Sequence, residues 1–594
     1  MDNIDIVIVI YNSEKWITDC LISISKLNYS KNKLNLIFVD NNSKDNSAKI
    51  VNEYSGKDEF GSFKYIGLKE NLGFGTANNI GVQQGNSPFV FLLNIDTKIT
   101  EDCLSKLQAV IAKSDWNTAA WELRQFPYEH PKAYDPITLE TSWCSAAALV
   151  VRRELFIEVG MFDSNIFMYC EDVDLSWKLR ANGYKLLYVP QCVVYHFSYS
   201  LPDEVKPNQL YNATFNNLML RYKYGGIGDV LRGYFLFFTL FLRKSINTRN
   251  HYRRLICNLI LSLPKGYKFR KSRYKSLTKL NFHPKFEIWD FEKTRKGSFY
   301  KNEIIDKNPL VSILVRTVGR PNVLRNTLCS IRNQTYSNIE VIIVEDGMPI
   351  SEQMIIDEFK DLQIKYLATR EKKGRCVTAN LALEMASGEF LNFLDDDDFF
   401  FADHIEVLVQ GIVNNPIYHA AYSIAFEAPT KILSGERHFS SEDYYINFNT
   451  PFNYLKLVEN NFLPIQTVLF SRTLYQKYGG MDTSLVVLED WDLWLRYSSE
   501  KEFYYVEKVT SIYTVPYNSY DYINRTKLLE DARQNLLEKH KNTRVSVPIQ
   551  SILEKSKRFK FNFLEIIKNE IKENKFIKIK YRIKQKMLVV FAKK

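Results

Sequence analysis

Short apolar runs, each stopping abruptly at polar or acidic residues, recur along this chain with helix-length spacers between them. Asp5–Ile10 (DIVIVI) is a continuous β-branched run of the kind that forms a parallel strand buried on both faces, with a strand expected over Ile4–Ile10. Glu14–Ser25 has helical spacing, and Leu34–Val39 is a second strand that stops at Asp40-Asn41-Asn42-Ser43. Strand, helix, strand in this order is a βαβ unit, whose function is expected in the loops beyond the carboxyl ends of the strands. Lys64–Gly67 then leads into Asn71–Gly81 (NLGFGTANNIG), a turn rich in glycine and asparagine that opens a helix. Phe89–Leu93 is the next strand and ends at Asn94-Ile95-Asp96.

The second half repeats the plan. Val311–Val315 matches the first strand, and Glu340–Val344 ends at Glu345-Asp346-Gly347. KGRCVTAN (373–380) aligns with the earlier glycine-rich turn so that Asn380 corresponds to Asn78, and Phe390–Leu394 runs into Asp395–Asp398. Further on, Gly160–Asp163 followed by Glu171-Asp172-Val173-Asp174 parallels Gly479–Asp482 followed by Glu489-Asp490-Trp491-Asp492. An ordered series with similar gaps is an internal duplication.

Composition changes this picture in one respect. The chain has 594 residues, too many for one core, and a formal net charge of +11. That charge is concentrated: 243–301 holds 17 Lys and Arg against 3 Asp and Glu, and 555–594 holds 14 against 3. Two acidic bodies are therefore expected, joined by a basic connector and followed by a basic tail. The predicted boundaries are 1–222, 223–308 (connector), 309–545 and 546–594 (tail). In 561–591 apolar residues fall near helical spacing among lysines, which suits either a helix lying on an anionic leaflet or one covering a domain. The longest apolar run, Tyr234–Leu242, is too short to span a bilayer, and no leader is read at the N-terminus. A cytoplasmic location is expected, with peripheral membrane contact through the tail. The eight cysteines form no CxxC or His/Cys cluster, which argues against zinc and against a disulfide framework.

The acidic strand ends carry the chemistry. Four consecutive carboxylates at the end of a buried strand repel one another and resist desolvation. A hard divalent cation, Mg²⁺ or Mn²⁺, resolves that conflict by bridging carboxylates to phosphate oxygens. Asp96, and Asp397 with Asp395, are the candidate metal ligands. Asp40 and Asp346 end second strands, where a carboxylate either accepts hydrogen bonds from a ribose or base, or caps a helix. Glu171/Asp172 and Glu489/Asp490 begin runs of helical spacing; there the helix dipole stabilises anions, and a general base for an acceptor hydroxyl is the functional alternative. Trp177, Phe167, Tyr169, Trp491 and Trp494 either stack on sugar faces or pack in the core.

Taken together, the motifs VIVIYN, FVDNNS, NLGFGTANNIG, LLNID and MYCEDVDLSWKLRANGY, with VSILVRT, VEDG, GRCVTAN, FLDDDD and LEDWDLWLR in the second half, resemble family-2 glycosyltransferases of the GT-A fold. The resemblance covers about 1–220 and 309–515. It implies an α/β fold: two Rossmann-like, nucleotide-sugar-binding domains of GT-A type. The reaction it implies is transfer of a sugar from a nucleotide donor with inversion, using Mn²⁺ or Mg²⁺. The first half is similar to rhamnosyl- and galactofuranosyltransferases, which implies His196 as a metal ligand beside Asp96. Donor binding is implied at Asp40, Asn71, Gly73, Asn78, Asp346, Arg375 and Asn380, and the base at Asp172 and Asp490. Glu171, Trp177, Glu489 and Trp491 are implied on the acceptor side. No histidine follows Glu489-Asp490 at the comparable distance, where SIYTVPY stands.

The expected function is a bifunctional transferase building a bacterial surface polysaccharide on an oligosaccharide or lipid-linked acceptor. The alternatives are one active half with the other positioning the acceptor, or a sugar-phosphate nucleotidyltransferase. Nucleic acid is not an expected partner, because the acidic bodies would repel its backbone.

Overall fold

The structure, a computed structural model, describes residues 3–55, 59–130, 132–197, 206–242, 250–276, 282–297, 300–430, 444–549 and 552. The predicted C-terminal helical tail, 546–594, lies outside the described residues apart from 546–549 and 552. The chain divides into two compact units, 1–302 and 303–594.

Unit 1 is built on β1 (Ile4–Ile10), β2 (Leu34–Asp40), β3 (Ser62–Gly67), β4 (Phe89–Leu93), β5 (Thr97–Ile99), β6 (Thr118–Phe126), β7 (Ala148–Arg152) and β8 (Lys185–His196). These form one sheet in the order β3-β2-β1-β4-β7-β6-β8-β5. The first four strands are parallel, β1, β2 and β4 as largely apolar buried runs and β3 as a half-exposed edge strand, and β7 enters antiparallel to both β4 and β6. Ile6, Ile8 and Phe38 fill one face of the sheet, while Val7, Val39 and Leu92 fill the other.

Unit 2 repeats the design with β9 (Val311–Thr317), β10 (Ile339–Glu345), β11 (Ile364–Ala368), β12 (Phe390–Asp395), β13 (Phe399–Phe400), β14 (Ala420–Thr430), β15 (Val468–Ser471) and β16 (Tyr504–Pro516). Its order, β11-β10-β9-β12-β15-β14-β16-β13, is that of unit 1 strand for strand. The duplication read from motif order is thus a duplication of topology. In both units the parallel strands end on one side, and the loops there carry the acidic motifs.

The stretch after residue 222 belongs to unit 1 rather than standing apart from it. Helix Pro207–Tyr224 runs through that boundary. Arg221 is buried, donating to the carbonyls of Glu287 and Ile288, and Trp177 packs edge-on against Phe286 and Phe291. The basic, aromatic segment is tied into unit 1 by its apolar residues.

Candidate active sites

The glycine-rich turns are held by the ends of the second strands. In unit 1 the Asn41 side chain accepts from the Leu72 N–H at 2.8 Å and donates to Asn71 Oδ1 at 2.9 Å, and Asn71 Oδ1 also accepts from the Gly73 N–H. In unit 2 Asp346 accepts from the N–H groups of Lys373 and Gly374, at 2.6 and 3.0 Å. Asp346 therefore corresponds to Asn41. The counterpart of Asp40 is Glu345: both are buried and both accept from a tyrosine hydroxyl on the third strand, Tyr65 or Tyr366. Pairing Asp40 with Asp346 is one residue out of register. Asp40 also accepts from the Ser43 N–H, so its carboxylate is engaged within its own turn; the following helix opens only at Ser47, so Asp40 does not cap it.

A second register correction follows from the helices that these turns open. Gly73 (φ +85°) precedes helix Phe74–Gln83, and Gly374 (φ +91°) precedes helix Arg375–Met385. Counting from those glycines, Asn380 matches Asn79 rather than Asn78. Asn79 exchanges two hydrogen bonds with the Phe162 backbone, and Asn380 exchanges two with that of Met481. Asn78 is buried and bonds only within its helix, to the Phe74 carbonyl. The repeated Thr-Ala-Asn string misled the alignment. Around these turns the two units differ. A Cβ at Gly73 would meet the Phe167 carbonyl oxygen at 2.2 Å, whereas at Gly374 it would meet open space.

The acidic strand ends also diverge. Asp96 lies beside His196 at the end of β8, with Nε2 3.4 Å from Asp96 Oδ1. His196 Nδ1 lies 2.7 Å from Gln125 Oε1, which places the ring proton on Nδ1. Nε2 is then a lone-pair donor, buried and without a hydrogen-bond partner, aimed at a carboxylate. Two electron-pair donors facing each other fit a hard cation between them. No group of three or more His, Cys, Asp or Glu side chains suited to a metal occurs among the described residues, so the rest of the shell would be ligand and water.

In unit 2 arginine takes up the acidic run. Arg316 on β9 donates to both oxygens of Asp395, at 2.8 and 2.9 Å, and to Glu489 at 3.1 Å. Arg320 pairs with Asp396 and, at 3.3 Å, with Asp397. Asp395 thus has an arginine N–H on each oxygen, so any metal there would share it with Arg316. Asp397, the other acid assigned to a metal here, is the less engaged, with a single arginine contact at 3.3 Å. β13 pairs Phe399 with Ile512, which sets Tyr513 opposite Asp398, where the first sheet sets His196 opposite Thr97. Tyr513 donates to Glu427 at 2.8 Å.

The Glu-Asp motifs open helices Glu171–Ala181 and Glu489–Tyr497. The residue before each, Cys170 (φ +70°) or Leu488 (φ +63°), is left-handed without being glycine. Such backbone persists only where surrounding contacts fix it, and it aims the first turn of the helix. Asp490 accepts from the Trp491 N–H and from Asn461 Nδ2 at 2.9 Å; burial, then the neighbouring Glu489, pushes its pKa up to about 7. Burial likewise raises Asp172, and burial with Asp172 pushes Glu171 up to about 8. Acids poised near neutrality suit proton transfer. The tryptophans are core residues. Trp177 is fully buried, and Trp491 is 2% exposed with its Nε1 donating to the Leu457 carbonyl, which corrects their placement against a sugar. In unit 2 a cleft of about 1870 Å³ brings together Arg316, Arg320, Arg375, Asp397, Glu489 and Asp490.

Sequence reading passed over Arg316, Arg320 and Asn461. It also missed a lysine latch that occurs in each unit. Lys223 binds Asp163 and Asp174 at 2.9 and 2.6 Å, and Lys539 binds Asp482 and Asp492 at 2.6 Å each. The repeated Asp pairs were visible in the motifs, but their lysines lie on later helices, where no motif marks them.

Comparison with known proteins gives a match to the family described as "Glycosyl transferase family 2" at residues 5–162 and 312–479, together more than half of the chain. An Escherichia coli protein, the UDP-Glc:alpha-D-GlcNAc-diphosphoundecaprenol beta-1,3-glucosyltransferase WfgD, is 29% identical over 196 residues, 31% of this chain and 68% of its own length. WcaA of Escherichia coli K12, a glycosyl transferase named for colanic acid biosynthesis, is 27% identical over 211 residues, covering 34% and 72%. The chain spans 63–68% of the length of WfgD and three further glycosyltransferases from Haemophilus influenzae and Rickettsia prowazekii. The crystal structure of S. aureus TarS 1-349 aligns at 16% identity over 49% of this chain and 96% of that one, with a TM-score of 0.31.

Proposed function

Because the chain belongs to glycosyl transferase family 2, we propose that it is a bifunctional inverting glycosyltransferase with one active site in each unit. It moves sugars from nucleotide-sugar donors to a glycan or lipid-linked acceptor in surface polysaccharide assembly, a reading supported by the names of WfgD and WcaA. The observation that carries it is the recurrence, in both sheets, of an acidic strand end together with a Glu-Asp helix start whose aspartate has a raised pKa.

In this reading Asp172 or Asp490 takes the proton of an acceptor hydroxyl as its oxygen bonds to the anomeric carbon. The bond from that carbon to the donor diphosphate breaks, the electron pair leaves on the nucleoside diphosphate, and the configuration inverts. Asp96 and His196 would hold a divalent cation, Mn²⁺ or Mg²⁺, in unit 1, and such an ion supplies charge stabilisation to a departing diphosphate. In unit 2, Arg320 and Arg375 line the cleft with Asp397 and bring positive charge to the same leaving group. Membrane contact through the basic tail completes the proposal.

The test is a screen of nucleotide sugars with Mn²⁺ or Mg²⁺, scoring nucleoside diphosphate release by Asp172→Asn and Asp490→Asn separately. Each substitution should remove turnover of one donor, by about 10²–10⁴-fold, and spare the other. Loss of both donors from either change would refute two independent sites, and release of pyrophosphate would mark a nucleotidyltransferase. A reading with a single active unit is favoured by one contrast: the Phe167 carbonyl lies against the Gly73 turn, accepting from the Phe74 N–H at 3.0 Å, while a Cβ at Gly374 would meet open space. It predicts that Asp172→Asn leaves every activity intact.

A further inference from the structure

Two helices of unit 1, Ile227–Thr239 and His251–Ser276, present apolar faces that neither candidate site uses. On the first, Ile227, Leu231, Phe235 and Phe238 are exposed, Leu231 by 65% and Phe235 by 69%, while Gly233 and Phe237 face inward. Spacings of four, four and three residues put them on one stripe. On the second helix Tyr252, Ile256, Ile260, Leu263 and Tyr267 repeat that spacing, while Leu255, Ser262 and Phe269 are buried. The helices run antiparallel: the Tyr234 hydroxyl lies 2.9 Å from Ser262 Oγ, and the rings of Phe241 and Tyr252 stack at 6.3 Å.

Charge identifies the occupant. Helix His251–Ser276 has eight Lys and Arg and no Asp or Glu, and Arg253, Lys265, Lys268 and Lys271 are exposed. No helix among the described residues is long and apolar enough to cross a membrane. A second copy of this chain would bring two faces of the same charge together, which opposes association. Nucleic acid would satisfy the cations but leave the apolar stripes in water. An anionic bilayer satisfies both, taking apolar and aromatic side chains below its headgroups and cations among them.

We propose that this helical hairpin is the surface on which the protein rests against anionic lipid. The inference names a surface distinct from the tail and holds whether or not either site transfers sugar. Purified full-length protein is sedimented with phosphatidylcholine vesicles, with and without about 30% phosphatidylglycerol, without donor present. The wild type should bind the anionic vesicles selectively. Leu231→Ser with Phe235→Ser, and separately Arg253→Glu with Lys268→Glu, should each weaken partitioning at least about tenfold. Their thermal midpoints and nucleoside diphosphate release should be unchanged, and deletion of 555–594 should leave selective binding in place. Wild-type binding by both variants, binding indifferent to lipid charge, or no binding at all would overturn the proposal. So would a serine variant that binds normally but changes from dimer to monomer in sedimentation velocity, since the face would then be a self-contact. Absent turnover with intact selective binding would count against the proposed function alone.

Discussion

As the proposed base, Asp490 would serve chemistry at the expense of stability. Its carboxyl, ordinarily near 3.8, is pushed up to about 7 by burial and then by Glu489. Between those values the folded protein holds a proton that the unfolded chain has lost, so this group makes stability fall as pH rises through that window. Asp490→Asn should therefore stabilise the fold at pH 8 by about 1–3 kcal/mol, read as a higher thermal midpoint, while ending transfer in unit 2. In the wild type the turnover that depends on Asp490 should rise with pH to half its plateau near 7, because the base works only when ionised. A flat profile between pH 5 and 8 would remove Asp490 from that role. Such carboxylates were legible in the sequence, since acids at strand ends and helix starts stand out against apolar surroundings. Their partners were not: Arg316 reaches Asp395 and Glu489 across 79 and 173 residues, and nothing local to VSILVRT announces it.

Among the elements, the helices that open with Glu-Asp depend on a later helix in each unit. Lys539, on helix Ser519–Lys539, meets Asp482 and the fully buried Asp492, and the hydrogen bond from Lys539, with those from Ser484, holds Asp482 down at about 2. Lys539→Met should destabilise unit 2 by about 3 kcal/mol, because it strips a cation from a buried carboxylate, although Arg496 and His540 still reach Asp492. Lys539→Arg should restore most of that loss, as read by urea unfolding; equal loss in both variants would argue against an ion-pair role. Strands β1, β2 and β4 were legible because parallel, doubly buried strands read as apolar runs, while the half-exposed edge strand β3 carries Lys64 and gives no such run. The register of the turns was not, because one-residue shifts such as Asn78 for Asn79 turn on where helix Phe74–Gln83 begins, and Gly73 rather than the Asn string fixes that.

For the whole molecule, repetition was the most legible property, and divergence between the copies the least. Two sheets share one strand order, yet Asp96 faces His196 while Asp397 faces Arg320, with tyrosine at the histidine's register position. The two proposed activities should therefore differ in their response to chelation. Donor turnover that depends on Asp172 should be abolished by EDTA and by His196→Ala, restored to the wild type by Mn²⁺, and accompanied by loss of Mn²⁺ binding in the variant. Turnover that depends on Asp490 should persist to a larger degree in EDTA. Equal sensitivity of both would refute this asymmetry.

The lysine latch of unit 1 bears on any attempt to produce that half alone. A fragment ending at residue 222, where the charge pattern suggests a border, would lack Lys223 and strand Asp163 and Asp174 without their cation. It would also expose Trp177, which rests edge-on against Tyr224, Phe286 and Phe291. A fragment extended to 302 keeps the latch and that aromatic cover, and it is the shorter piece that should aggregate on expression.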